Sequence, residues 1–355
     1  MYTVDLRQEL QEGNRSIFSR KLQELMTDRL NKGQQTILFL NRRGYAGFVS
    51  CRSCGEVMKC PHCDVSLSEH KGGRLICHYC GYTQPMPKLC PKCGSKYILG
   101  FKAGTQQIEE KLKELYPGVR TLRMDADTTR TKDSYEKILS SFANGEADVL
   151  IGTQMIVKGH DFPKVTLVGI LAADLSLNAS DYRAGERTFQ LLTQAVGRAG
   201  RGVLPGEAVI QTYQPDHYAI TCAAAQDYES FYQEEILYRE LSGYPPVAHM
   251  LAVQIYGKEE ENVKQLALRL TDVVKSNMDF LSGKQKEQSN KKIQVLGPAP
   301  ANISKINDIY RYVFYVKHAE YDVLVEVKDR LEETLRQWQP RQMSIQFDFD
   351  PVSVL

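Results

Sequence analysis

Eight of the nine cysteines lie between residues 51 and 93, and all eight fall in C-x-x-C pairs. Two residues between ligands let one tight turn direct two thiolates at the same ion, and two such turns complete a tetrahedral Cys₄ zinc site. Four pairs therefore predict two zinc ions per chain. The pairs are Cys51/Cys54, Cys60/Cys63, Cys77/Cys80 and Cys90/Cys93.

The spacers between successive pairs are five, thirteen and nine residues long. Thirteen residues suit a zinc-ribbon hairpin, so we predict that 60/63 shares one zinc with 77/80. The outer pairs 51/54 and 90/93 then share the other zinc, in a nested arrangement whose chain enters and leaves at one point. His62, His70 and His78 could in principle replace a thiolate, but with eight cysteines present we expect them to be spare and to donate to thiolates or contact a partner.

A disulfide framework is the alternative use of eight cysteines. The chain has neither a signal peptide nor an apolar run of transmembrane length, which favours a cytoplasmic protein with no membrane contact and reduced thiols. Its 355 residues, 42% hydrophobic and 25% charged, are ordinary for two or three globular domains. The net charge of +2 neither favours nor excludes nucleic acid, so any basic surface must be local.

Short strand and helix patterns alternate on both sides of the cysteine-rich segment. A continuous apolar run at 36–40 is typical of a parallel strand buried on both faces. This alternation predicts an α/β domain over 1–50 and 94–220, with 51–93 inserted in it as a zinc module. The predicted helices cover 16–30, 105–115, 134–142 and 183–196, and the other predicted strands cover 119–124, 148–152, 165–171 and 208–213.

Three loops of this domain carry residue types suited to chemistry, at 152–161, 194–201 and, between them, Asp174–Arg187, and a further loop follows the strand at 36–40. Asn41-Arg42-Arg43-Gly44 follows the strand at 36–40, at the sheet edge where open α/β folds bind ligands. Residues 152–161 crowd glycine and polar side chains after another strand, where a ligand approaches the backbone. Residues 194–201 end a helix with two arginines three positions apart, and the glycines beside them, Gly197 and Gly200, leave room for a neighbouring surface.

These loops resemble helicase motifs. Gln194–Arg201, which reads Q-A-V-G-R-A-G-R, resembles the last conserved motif of superfamily 2 helicases, and Val157–Asp161 resembles the preceding one. The strand at 36–40 with its loop resembles the opening motif of a second RecA-like lobe. Together with the cysteine pairs, further segments are similar to the C-terminal part of the bacterial primosomal replication-restart helicase family PriA (primosomal protein N′). Those segments are Ala173–Leu177, Asp181–Leu192, Tyr244–Pro246, Gly297–Ala301 and Phe349–Pro351.

The resemblance implies a RecA-like second helicase lobe with an inserted double-zinc ribbon. Residues 221–248 are then a connecting helix or linker. Residues 249–355 form a C-terminal α+β domain that binds DNA or a partner, and their pattern of strands and helices reads βαββαβ, as in a ferredoxin-like sandwich.

The resemblance also implies roles for individual residues. Arg201 is the candidate arginine finger, Arg198 its companion at the γ-phosphate, and Gln194 assists both. The alternative for the two arginines is a solvated helix end, where their charge suits the helix dipole. Gly159 and Asp161 are expected at the nucleotide ribose, although such residues also serve simply to turn a chain. Candidates for DNA phosphate contact are Arg42, Arg43, Thr153 and Lys158.

No G-x-x-x-x-G-K-[ST] phosphate loop and no acidic metal-binding box occur in the sequence. The family carries both in an N-terminal lobe, where ATP and Mg²⁺ bind, so we expect this chain to be a fragment that is inactive alone. The implied function is the C-terminal part of an ATP-dependent 3′–5′ DNA helicase that recognises stalled or repaired forks and promotes primosome assembly. The implied partners are forked and single-stranded DNA, single-stranded-DNA-binding protein, and primosome and helicase-loading proteins.

Two other functions compete with this one. The chain could belong to a different superfamily 2 DNA translocase that carries a zinc ribbon, which the C-terminal segment matches disfavour. As an isolated polypeptide it could also act as a non-catalytic scaffold for DNA and proteins.

Overall fold

A computed structural model describes residues 1–40, 49–62, 65–70, 73–78, 80–100, 104–125, 128–129, 132–153, 156, 162–179, 181–202, 204–276 and 292–352. Its contacts divide the chain into two compact units. The first unit comprises Met1–Met58, Pro87–Ala179 and Arg183–Tyr232, and the second comprises Lys59–Met86, Ser180–Tyr182 and Gln233–Leu355. The cysteine-rich segment is therefore divided between the two, whereas the sequence treats 51–93 as one inserted module.

The first unit is built on a six-stranded sheet in which every neighbouring pair is parallel. Its strands are β1 (Tyr2–Asp5), β2 (Gln35–Phe39), β8 (Thr121–Met124), β9 (Val149–Gly152), β10 (Val165–Ile170) and β11 (Glu207–Thr212). Their order across the sheet is β1-β11-β10-β2-β9-β8. The helices of this unit are α1 (Leu6–Gln11), α2 (Arg20–Asn31), α3 (Thr105–Leu115), α4 (Lys132–Ala143), α5 (Asp174–Leu177), α6 (Ala184–Val196) and α7 (Tyr218–Ala225).

Strand β2 confirms the prediction of a strand buried on both faces. Ile37 and Phe39 enter one apolar cluster with residues of α4, α6 and α7. Leu38 enters a second cluster with residues of α2 and α3. Successive side chains of a strand point to opposite faces, so a fully apolar run requires helices on both sides of the sheet.

The cysteine-rich segment forms two small antiparallel sheets. β3 (Val49–Cys51) pairs with β7 (Ile98–Gly100) in the first unit. β4 (Ser68–His70), β5 (Arg74–Ile76) and β6 (Thr83–Pro85) form a three-stranded sheet in the second unit. The long spacer thus folds as the ribbon hairpin that its length predicts.

The rest of the second unit contains a four-stranded antiparallel sheet in the order β13-β14-β12-β15. Its strands are β12 (His249–Gly257), β13 (Gln294–Ile306), β14 (Ile309–His318) and β15 (Met343–Phe349), and its helices are α9 (Glu260–Ser276) and α10 (Tyr321–Trp338). Both helices supply residues to one apolar cluster with the sheet. This order and the βαββαβ succession confirm the ferredoxin-like prediction.

Some elements depart from the sequence expectation. β13 was expected to end at residue 296, but it continues through Pro298 and Pro300 to Ile306. A strand tolerates proline at a sheet edge, where its missing N–H interrupts no ladder on the open side. Residues 221–248, predicted as a connecting helix or linker, do not depart from that expectation and are mostly helical, in α7 and α8 (Tyr228–Ser242). Among the described helices, none is long and apolar enough to cross a membrane.

Candidate metal centres and arginine corner

Four thiols meet at the base of the cysteine-rich segment, in the first unit. Cys51, Cys54, Cys90 and Cys93, hereafter the outer cluster, have sulfur atoms within 4.8 Å of one another. The Sγ atoms of Cys51 and Cys93 are 3.6 Å apart, as are those of Cys54 and Cys90. A tetrahedron of Zn–S bonds places its sulfurs about 3.8 Å apart, so the outer cluster fits a zinc ion.

Three further thiols meet in the second unit. Cys60, Cys77 and Cys80, hereafter the inner cluster, also lie within 4.8 Å, with 3.5 Å between the sulfurs of Cys60 and Cys80. Cys63, the expected fourth ligand, lies outside the described residues. The structure therefore brings the described cysteines together in the nested pairing that the spacers predict. The quoted separations far exceed the S–S bond length of about 2.05 Å, which argues against disulfides there.

Each pair sits on a turn built by the same local rule. In all four turns the N–H of the first cysteine donates to a carbonyl five residues later, at 2.8 Å. In three turns a glycine with positive φ follows the second cysteine and donates its N–H to the first cysteine's carbonyl. These glycines are Gly55, Gly81 and Gly94, with φ of 77°, 77° and 71°. Glycine suits this position because other residues are strained in the left-handed region.

The histidines of the segment differ in their surroundings. His78 is 1% exposed, and its Nδ1 lies 3.1 Å from the carbonyl oxygen of Pro300, a residue of β13. Its Nε2 lies 3.0 Å from Nε2 of His70. Burial lowers the pKa of both histidines. His62 is exposed and meets the ring of Tyr82 edge-on. Of the alternatives for His78, the structure supports contact with a neighbouring surface, which belongs to the same chain.

Helix α6 ends at Val196 in a tight corner that carries the predicted arginines. Residues 197–202, hereafter the arginine corner, close with N–H bonds from Gly197 to the Thr193 carbonyl and from Arg198 to the Ala195 carbonyl. Nε of Arg201 donates to the Gly197 carbonyl at 2.8 Å, and this arginine is exposed. Arg198 is half-buried and Gln194 is exposed.

The glycines of the arginine corner make room for backbone. A Cβ at Gly200, where φ is +75°, would lie 2.4 Å from the nitrogen of Gly206, and one at Gly202 would lie 2.4 Å from the carbonyl oxygen of Pro163. The N–H of Gly200 donates to the Val165 carbonyl at 3.0 Å. The neighbouring surface predicted for these glycines is thus the protein's own chain. The corner packs against residues that directly follow the predicted loop at 152–161.

Among the other predicted site residues, Thr153 is the one whose surroundings the structure describes. Thr153 is half-buried, and its N–H donates to the Met124 carbonyl at 3.3 Å, at the carboxyl edge of the sheet. Arg42, Arg43, Lys158, Gly159 and Asp161 lie outside the described residues. Their proposed roles stay predictions.

Asp174 is a buried acidic residue that begins the loop Asp174–Arg187, which the sequence indicates as one that carries chemistry, but no role is predicted for Asp174 itself. It is 3% exposed at the carboxyl edge between β10 and β11. Its carboxylate accepts hydrogen bonds from the Thr212 hydroxyl at 3.0 Å and from the N–H of Tyr213 at 3.0 and 3.1 Å. Burial raises its pKa to about 6, although these bonds favour the charged form. The available sequence signal is a single acidic residue in the A-A-D-L-S run that directly follows an apolar strand.

The parallel sheet with helices on both faces is the architecture of a RecA-like helicase C-terminal lobe. The family model for the helicase conserved C-terminal domain matches residues 89–203. The model for the PriA DNA helicase Cys-rich region (CRR) domain matches 60–85, and that for the primosomal protein N C-terminal domain matches 240–352. The chain belongs to the PriA family of replication restart proteins. The zinc ribbon match and the thiol clusters support zinc binding.

Relatives match this chain over nearly its whole length. The replication restart protein PriA of Bacillus subtilis (strain 168) is 44% identical over 99% of this chain and 43% of that protein. Its counterpart in Synechocystis is 42% identical over 99% of this chain and 41% of that protein. The chain therefore spans less than half the length of these relatives. Among solved structures, the C-terminal domain of the DEAD-box protein Dbp5 is 13% identical, with a TM-score of 0.30 over 61% of this chain and 89% of that one.

Proposed function

We propose that this chain is the C-terminal part of an ATP-dependent 3′–5′ DNA helicase that acts in replication restart. In this proposal the helicase recognises stalled or repaired forks and promotes primosome assembly in the cytoplasm. Its partners are forked and single-stranded DNA, single-stranded-DNA-binding protein, and primosome and helicase-loading proteins. Membership of the PriA family is the observation that carries this proposal.

The arginine corner supplies the chemistry on the ATP side. An exposed guanidinium on a rigid turn is a planar positive charge, which stabilises the charge that develops when the γ-phosphoryl group is transferred. Arg201 stands on such a turn, braced through its bond to the Gly197 carbonyl and by the close packing at Gly200. Arg198 and Gln194 assist it, and Gly159 and Asp161 contact the ribose. Bound ATP and Mg²⁺ would supply the reacting phosphate and neutralise its charge.

DNA contact is assigned to predicted residues other than those on the ATP side. In the sequence, Arg42 and Arg43 follow β2, and Thr153 and Lys158 follow β9, and open α/β sheets bind ligands at the carboxyl ends of their strands. Guanidinium, ammonium and hydroxyl groups there suit phosphate oxygens of a DNA backbone. The 249–355 domain adds a further surface for DNA or a partner.

Two zinc ions complete the cofactor set. The outer cluster supplies four thiolates to one ion. Cys63 joins the three thiolates of the inner cluster at the other. Bound zinc would hold each pair of turns together, because metal binding and local folding are linked in small zinc modules.

The experiment uses this chain joined to a first helicase lobe that carries the phosphate loop. Arg201→Ala should lower DNA-stimulated ATP hydrolysis by about 10³-fold or more while leaving DNA affinity within about twofold, because the finger acts on charge present only during transfer. Arg42→Ala should do the reverse, weakening DNA binding and raising the DNA concentration needed for stimulation. The measurements are steady-state ATPase and fluorescence anisotropy of labelled single-stranded DNA.

An Arg201 variant that hydrolyses ATP normally but binds DNA poorly would place the arginine corner on the DNA path. The second candidate function, a non-catalytic scaffold, rests on the missing phosphate loop in these 355 residues. It would be supported if the isolated chain bound forked DNA without hydrolysing ATP, and contradicted if the isolated chain bound none.

A further inference from the structure

The two thiol clusters differ in which part of the protein lies beside them. Gly55, next to Cys54 of the outer cluster, sits against Tyr213, which directly follows the last strand of the helicase lobe. A Cβ at Gly55 would lie 2.5 Å from the carbonyl oxygen of Tyr213. That oxygen belongs to a residue 158 positions away along the chain, so the contact is tertiary and does not form part of the turn itself.

The Tyr213 backbone is in turn fixed from the other side. Both carboxylate oxygens of Asp174 accept its N–H, at 3.1 and 3.0 Å. The aliphatic part of Arg7 also borders the space beside Gly55, with Cδ 3.4 Å from a Cβ placed there, and its guanidinium is held by Asp5 at 2.6 Å. The outer cluster therefore rests on backbone that the lobe itself holds in position.

The inner cluster rests on a different surface. Gly81, next to Cys80, would place a Cβ 3.4 Å from the carbonyl oxygen of Pro298. His78, between Cys77 and Cys80, is within hydrogen-bond distance of the Pro300 carbonyl at 3.1 Å. Both contacts are to β13 of the C-terminal domain, in the second unit.

We infer that the two metal centres are separate anchors, the outer one seated on the helicase lobe through Gly55 and Tyr213, the inner one on the C-terminal domain through His78 and Pro300. Gly55, Tyr213 and Asp174 are then positioning residues for the outer centre, and His78 is one for the inner centre. The inference rests on the proposed use of the clusters as zinc sites. Metal binding and local order are linked reciprocally. We therefore expect zinc at the outer cluster to order the backbone around Tyr213, and zinc at the inner cluster to order β13, each without affecting the other.

The chain offers a matched control residue for the contact of each cluster with its neighbouring surface. Gly94 occupies the equivalent position in the other turn of the outer cluster. Its φ is +71° against +77° at Gly55, and its N–H donates to the first cysteine's carbonyl at 2.9 Å against 2.8 Å. A Cβ at Gly94 meets nothing within 4 Å. Gly55→Ala and Gly94→Ala thus share the backbone strain and differ in the contact. His62 is the exposed control for buried His78.

The test is hydrogen exchange, read by mass spectrometry, of the zinc-loaded 355-residue chain and its variants. Gly55→Ala should speed exchange in 207–216 by roughly tenfold or more and leave 294–306 within about twofold, since overpacking against backbone must displace the turn. His78→Ala should show the converse. Gly94→Ala and His62→Ala should leave both segments within about twofold of the parent chain.

Equal effects of Gly55→Ala and Gly94→Ala on 207–216 would overturn the inference, as would His78→Ala acting on 207–216. If Gly55→Ala does not fold, zinc removal from the unaltered chain provides the test instead. Removal of zinc with a chelator should speed exchange in both segments. Unchanged exchange in 207–216 would refute the contact proposed for the outer cluster, and unchanged exchange in 294–306 would refute that proposed for the inner cluster. A normal exchange pattern in a chain that cannot support ATPase after joining to a first lobe would refute the proposed function and leave this inference standing.

Discussion

Asp174→Asn should remove a pH-dependent loss of stability from the helicase lobe. The folded-state pKa of Asp174 is raised to about 6, against 3.8 for the unperturbed group, because the carboxyl group is buried. The folded chain therefore holds this proton more tightly than the unfolded chain does. The stability that results is fully present below pH 3.8 and is lost as the pH rises towards 6.

The magnitude follows from the difference between the two pKa values. Each pKa unit corresponds to 1.36 kcal/mol, so ionisation of Asp174 costs the folded lobe about 3 kcal/mol by pH 7. Asparagine keeps an oxygen for the N–H of Tyr213 but does not titrate. At pH 4 the unfolded carboxyl group is already partly ionised, so between pH 4 and 7 the unfolding free energy of the lobe in the Asn variant should fall by about 2 kcal/mol less than that of the parent.

Urea unfolding at a series of pH values measures this difference, with circular dichroism as the probe of both units. The only tryptophan, Trp338, lies in α10 of the second unit, so its fluorescence reports a unit without Asp174. The fluorescence transition should depend on pH in the same way in parent and variant. Parallel pH profiles for the dichroism transition as well would refute a raised pKa at Asp174.

Three further outcomes follow from the structure. Elemental analysis after exhaustive dialysis should find two zinc ions per chain, and Cys60→Ser should lower the count towards one, whereas a parent count of one would contradict the nested pairing. Gly200→Ala should destabilise the lobe by about 1–3 kcal/mol in chemical unfolding, because a Cβ there would lie 2.4 Å from the Gly206 nitrogen. Gly118→Ala, also at positive φ but with nothing within 4 Å, is its control, and equal losses would count against the packing argument. The isolated chain should hydrolyse no ATP in the presence of DNA, and turnover above background in a rigorously purified sample would reveal a missed site.

The parts of the fold that the sequence predicts best are those fixed by local patterns. Helix α3 spans Thr105–Leu115 as predicted, because Gly104 precedes its first turn and Pro117-Gly118 closely follows its end. The nested cysteine pairing was also predictable, since spacer length limits which turns can meet. Strand β13 was not, because proline normally argues against a strand and only its place at the sheet edge removes that objection.

The parts that sequence could not give depend on distant contacts. Nothing near Gly55 in the chain indicates Tyr213, and nothing near His78 indicates Pro300. The burial of Asp174 likewise arises from packing between β10 and β11. The glycines of the arginine corner could be read as space-making residues, but what fills the space is known only from the fold.

The nested closure also bears on how freely this family can vary in length. The outer cluster and the β3–β7 pair join the two ends of the cysteine-rich segment, so the helicase lobe is closed regardless of the 35 residues between Cys54 and Cys90. The entropic cost of closing a loop rises only slowly with its length. Here zinc bound at the outer cluster would close the loop, so its length would have little effect on the folding of the lobe. Insertions or deletions in 59–86, the part of that interval that belongs to the second unit, are therefore nearly neutral for the stability of the lobe, and their limit is set by the second unit, on which the inner cluster rests.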